Sequence, residues 1–126
     1  MRIESVTAHR LSLPLVRPFR TSFGTEYAKD VILIEVTTDS GVTGWGECVS
    51  APGPSYSHEF NDAALLVLRD HLVPRVLDRD LTAEEVPALL SAVRGHPMAR
   101  GALELAILDA QLRQAEQAER QHVAQR

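Results

Sequence analysis

Cysteine is almost missing from this chain of 126 residues: Cys48 stands alone, so no internal disulfide can form, and such thiol usage fits a reducing cytoplasm. A basic excess is missing too. Lys and Arg number 13 against 17 Asp and Glu, for a formal net charge of -4; with no positive field to gather phosphates, nucleic acid is excluded as a partner. Long apolar runs are absent. No stretch reaches the roughly 20 apolar residues that span a bilayer, and the opening MRIESVTAHR lacks the unbroken apolar run of a signal peptide. A membrane partner is not expected, and the expected location is the cytoplasm. The histidines His9, His58, His71, His96 and His122 are scattered, without the spacing that metal ligation needs. Neither a metal site nor a cofactor site is expected in this chain. No catalytic residue is expected in it either: Cys48 has no activating partner nearby in sequence, and Glu47 has no second acid at a useful spacing.

What remains is an ordinary globular composition, 44% hydrophobic and 24% charged, long enough for one domain with a proper core. Leu11, Leu13 and Leu15 alternate with polar or small residues, the period of a half-buried strand. Pro14 and Pro18 oppose ladder pairing, so the spacing ends that strand near residue 15. The β-branched run 30–38, the turn signal Asp39-Ser-Gly41 and the run 42–49 predict a hairpin. Gly44 and Gly46 flank Trp45 and strip one sheet face of side chains, so something bulky should approach the backbone there.

After Ala51-Pro-Gly-Pro54 the period turns helical. Ser57 is read as the cap of a first helix with Phe60, Ala64, Val67, Leu68 and His71 on its apolar positions, ending before Pro74. Thr82 and Glu85 stand in capping-box relation for a second helix, which should stop near Arg94-Gly95. Pro97 opens a third, running to at least Arg113. The fold class is therefore α+β: a three-stranded antiparallel meander followed by three helices.

The third helix is two-faced. At about 100° per residue, Leu103, Ala106, Ile107 and Ala110 fall on one side and Leu105, Leu108 and Leu112 on nearly the opposite one, with Glu104, Gln111 and Asp109 along the edges. A helix apolar on opposed sides must lie between two bodies, and the polar, Gln-rich stretch 114–126 cannot supply the second. The missing partner is another domain, or a second copy of the chain docking through this helix.

One oddity is left, the segment RPFRTSFGTEY at 17–27: a reversal of the chain needs Gly or Pro, not two phenylalanines and a tyrosine. Composition alone favours packing of Phe19 and Phe23 in the domain's own core, and pairing of Arg20 with Glu26 or Asp30. The stretches PFRTSFGT (18–25), GVTGWGECVSAPGPSYSHEFN (41–61) and RGHPMARGALELAILDAQLR (94–113), in this order and spacing, resemble the N-terminal capping domain of the enolase superfamily. Within it, the chain is most similar to the muconate-lactonizing-enzyme-like group and to its o-succinylbenzoate synthase/N-acylamino acid racemase family.

The resemblance implies a capping domain over residues 1–113 and a departing tail over 114–126, an ending that fits a truncated or frame-shifted gene product or an artificial boundary. In such enzymes a (β/α)₈ barrel of about 250 residues carries the chemistry: Mg²⁺ held by acidic residues stabilises an enediolate formed when a lysine removes a proton next to a carboxylate. Dehydration for menaquinone synthesis and racemisation of N-acylamino acids are both implied, neither by this chain alone. The resemblance further implies that Phe19, Ala51 and Tyr56 occupy substrate-contacting positions for a small carboxylate, Ala51 standing where relatives carry a larger apolar residue. The rival reading is a non-catalytic binding or assembly module that reuses the same fold.

Overall fold

The computed structural model describes residues 1–125. Three antiparallel strands in the order β1 (Ile3–Thr21), β2 (Gly24–Thr38) and β3 (Thr43–Cys48) form one sheet. Helix α1 (Asn61–Val67) continues as a single π turn over Leu68–Leu72 and a 3₁₀ turn at Val73–Arg75. A 3₁₀ turn at Ala83–Glu85 leads into α2 (Val86–Leu90), and α3 runs from Pro97 to Ala124. The expected meander and three helices are all present, and the described residues contain no (β/α)₈ barrel. None of the helices is long and apolar enough to cross a membrane among the described residues.

β1 does not end at its prolines. Pro14 still pairs with Ala28, residues 15–18 then bulge opposite Tyr27 alone, and pairing resumes at Phe19 with Glu26. β1 is an edge strand, where a missing amide proton breaks no ladder to a further strand, and a bulge absorbs the second proline. The aromatic segment is therefore the far end of a long hairpin. Its turn, Ser22-Phe23, is closed by Thr21, whose hydroxyl donates to the Gly24 carbonyl at 3.3 Å and accepts the Phe23 N–H at 3.2 Å.

Helix starts also differ from expectation. Ser57 does not cap α1: its hydroxyl accepts the Glu59 N–H at 3.2 Å, and the helix begins behind an extended Phe60. Pro74 cannot complete an α-helical ladder, and the chain meets it by loosening to a π turn and tightening to a 3₁₀ turn. At the second start, the Thr82 hydroxyl donates to the Glu85 carboxylate at 3.3 Å rather than serving the backbone. α2 is short, ending at Leu90, and Gly95 and His96 both adopt left-handed φ values of 73° and 53° to turn the chain into α3.

One core forms between the sheet and the helices. Ile32, Ile34, Val36 and Cys48 meet Leu68, Leu72, Val86, Leu90 and the buried side of α3, all closed to solvent. The bulky neighbour expected at the glycine pair is the α3 backbone: a Cβ on Gly44 would lie 2.3 Å from the Ala106 carbonyl oxygen, and one on Gly46 2.2 Å from that of Ala102. Small residues on both sides, Gly44 and Gly46 against Ala102, Ala106 and Ala110, allow this approach. Trp45 and Asp109 lock the register, the Trp45 backbone N–H donating to the Asp109 carboxylate at 2.8 Å.

α3 is two-faced as its spacing predicts. Leu103, Ala106, Ile107 and Ala110 are fully buried, whereas Leu105 and Leu112 are 57% and 59% exposed. The polar edge residue Gln111 accepts the Ala83 N–H at 2.7 Å. The helix does not stop at Arg113 but continues through the Gln-rich stretch, whose helix-favouring composition includes an Arg120–Glu116 pair one turn apart. Residue 126 of that stretch lies outside the described residues.

Candidate functional site

The far end of the β1–β2 hairpin and the loop 49–60 after β3 come together at one edge of the domain. Phe23 and Tyr56 meet edge to face, ring centroids 6.2 Å apart and planes at 78°, the geometry aromatic quadrupoles favour. Both rings otherwise face solvent, as does Phe19, and Tyr56 is 83% exposed. The expectation that Phe19 and Phe23 pack in the domain's core is thus corrected: strand pairing carries β1 on past its prolines, and the hairpin holds both rings clear of the helices. Tyr56 packs against Phe23. Ala51 sits partly buried at the neck of the loop, bridged to Phe60.

Arg20 does not hold Asp30. The Asp30 carboxylate accepts hydrogen bonds from Arg10, at 2.9 Å from Nη2 and at 3.3 Å from Nε to each of its oxygens, and Arg10 also pairs with Asp62 at the start of α1. The Arg10 guanidinium holds the Asp30 carboxyl below its ordinary range. That triad ties the root of the hairpin to α1. Cys48 is a buried small residue, its sulfur 3.4 Å from the Ser50 hydroxyl, and Glu47 is exposed on β3. His9 lies against Glu35 at 3.2 Å and beside the Trp45 ring at 5.8 Å.

Two residues that sequence spacing did not single out hold the loop. Asn61 is fully buried; its side chain accepts the Ser50 hydroxyl at 2.6 Å and donates to the Asp30 carbonyl at 3.2 Å, while its backbone N–H donates to the Ala51 carbonyl at 2.8 Å. Glu59, 3% exposed, accepts the Met98 N–H at 2.9 Å. The partners of Glu59 lie across the fold, and no local periodicity marks them.

Among the described residues no three His, Cys, Asp or Glu side chains gather as a metal site. Among the described residues no donor set fits a Mg²⁺ of the kind the resemblance implies, and the exposed side chains at this edge are the rings Phe19, Phe23, Tyr27 and Tyr56 with the polar Arg20, Glu26 and His58 among them. What the edge can do is cover: it presents apolar surface on two linked loops.

Residues 3–121 match the family model described as the mandelate racemase/muconate lactonizing enzyme N-terminal domain. The chain belongs to that family. Over 114 residues it is 50% identical to an N-succinylamino acid racemase of Amycolatopsis sp., covering 90% of this chain and 31% of the relative. It is 38% identical to an o-succinylbenzoate synthase of Listeria innocua, over 78% of this chain and 26% of the relative. Among solved structures, an enolase superfamily member from Listeria innocua superposes with a TM-score of 0.81 at 35% identity, covering 87% of this chain and 30% of that one. A muconate lactonizing enzyme from Pseudomonas fluorescens complexed with muconolactone does so at 0.84 and 26% identity, over 90% and 31%. This enolase-superfamily N-terminal domain thus spans about a third or less of the relatives it matches.

Proposed function

We propose that the domain is the lid of an o-succinylbenzoate synthase/N-acylamino acid racemase-type enzyme, closing a barrel active site over a small carboxylate substrate. The observation that carries this reading is the meeting of Phe23 and Tyr56, which joins the hairpin end and the loop 49–60 into one exposed aromatic rim beside a helix whose outer leucines lack a cover. Barrel active sites open at the C-terminal ends of their strands, and a rim of rings can exclude water there, strengthening every electrostatic interaction beneath it. Phe19 and Tyr56 would touch the substrate's acyl or aryl portion, and the small side chain of Ala51 would leave room beneath them. Leu105, Leu108 and Leu112 would rest on the barrel.

Mg²⁺ would be held by acidic residues of that barrel, where it would supply Lewis-acid stabilisation of the substrate carboxylate, and proton transfer would fall to the barrel as well. Dehydration and racemisation need the same cover, and the 50% identity to the Amycolatopsis racemase favours racemisation of N-succinylamino acids.

The test is a chimera in which this chain replaces the matching segment of the Amycolatopsis racemase. The chimera should racemise N-succinylamino acids, and the 126-residue chain with Mg²⁺ should neither racemise nor dehydrate. Phe19→Ala and Tyr56→Ala should each raise KM about five-fold or more, a loss of ~1 kcal/mol of binding, with melting temperature unchanged. An active chimera indifferent to both substitutions overturns the lid reading.

A further inference from the structure

The loop that carries Tyr56 is held at two points of unequal character. Its neck is closed by Asn61, which gathers Ser50, Ala51 and the Asp30 carbonyl. Its descending limb is held by Glu59, whose carboxylate leaves the loop altogether. Oε1 accepts the Met98 N–H at 2.9 Å, Oε2 accepts it at 3.1 Å, and Oε1 lies 3.4 Å from the Ala99 N–H. These are free donors of the first turn of α3, which has no cap of its own: His96 is left-handed, makes no side-chain cap bond, and no acid stands in the first turn. A helix start exposes unpaired N–H groups and the positive end of its dipole, and here a carboxylate from a separate loop fills both needs.

The helix so capped is seated closely on the sheet, its backbone pressed on Gly44 and Gly46 of β3. Tyr56 stands three residues before Glu59, with a tight turn between them in which the Ser57 hydroxyl accepts the Glu59 N–H.

We infer that Glu59 is a positioning residue: its buried carboxylate pins the loop 49–60 to the start of α3, and thereby fixes where Tyr56 stands against Phe23 and how large a substrate group fits beneath them. The inference rests on the lid reading for its consequence but not for its geometry. Asn61 alone would close the neck and leave the tip free to swing; Glu59 transmits the position of the sheet and helix frame to the ring. Glu59→Gln keeps the shape and one acceptor but loses the charge, and Glu59→Ala loses both.

In the 126-residue chain, amide hydrogen exchange at residues 55–58 should be at least ten-fold faster in Glu59→Ala and intermediate in Glu59→Gln, with exchange in β2 and β3 unchanged in Glu59→Gln. Unchanged exchange at 55–58 in both variants overturns the inference. In the racemase chimera, Glu59→Gln should raise KM about five-fold with kcat within two-fold of the parent. It should also compress the preference between small and large N-acyl groups, which a purely stabilising cap would leave alone. A lowered melting temperature with the acyl preference intact also overturns the positioning role. An inert parent chimera would instead overturn the lid reading, and the exchange measurement would still decide what holds the loop.

Discussion

Arg10 illustrates how a single side chain joins elements that sequence spacing treats as separate. It sits on an edge strand, yet its guanidinium takes Asp30 of β2 and Asp62 of α1 together. Asp30 is held below its ordinary carboxylate range, chiefly by the hydrogen bonds from Arg10. A group whose folded pKa lies under its unfolded value of about 3.9 contributes stability that is full above that value and lost as pH falls through the folded one. Arg10→Ala should therefore lower the urea midpoint at pH 7, and the gap to the parent should shrink progressively below about pH 4, vanishing where Asp30 is protonated in both. A gap that persists undiminished at pH 2 would mean that Arg10 acts through packing instead. Composition favoured pairing of Arg20 with Glu26 or Asp30; register, not residue type, decides which side chains share a sheet face.

At the scale of elements, the seating of α3 on β3 depends on missing side chains. Gly46 faces the Ala102 carbonyl so closely that a methyl group would overlap it at 2.2 Å. Backbone cannot rotate away as a flexible side chain can, so Gly46→Ala should destabilise the domain by about 2–3 kcal/mol, in the upper part of what overpacking costs. Gly53, with open space around its Cβ position, is the control, and Gly53→Ala should leave the urea midpoint nearly unmoved. The glycine pair was legible from sequence as a close approach, and the two-faced α3 from its spacing. Pairing of β1 through its prolines was not, because proline forbids a ladder bond only where a neighbouring strand would accept it, and strand order is a tertiary fact.

For the molecule as a whole, the division of α3 into an inner and an outer face separates the side chains that stabilise this chain from those that stand exposed. Leu103 is fully buried in the core and Leu112 is 59% exposed. Leu103→Ala should cost about 2–5 kcal/mol, whereas Leu112→Ala should stay within about 0.5 kcal/mol, both read from chemical denaturation of the 126-residue chain. A large loss at Leu112 would show that its face is already covered in solution by another copy.

Periodicity and residue type by themselves determined the meander, the three helices, the opposed faces of α3 and the tight seat at Gly44 and Gly46, because each follows from local conformational preference or from one element's own repeat. The three folded stretches that carry the family likeness are likewise local strings. Tertiary structure alone decided that the aromatic segment is a paired hairpin end rather than core, that Tyr56 meets Phe23, and that Glu59 caps a helix that begins 38 positions later. Those contacts join residues far apart in the chain, and their free energy exists only once the sheet and α3 have brought the partners within reach.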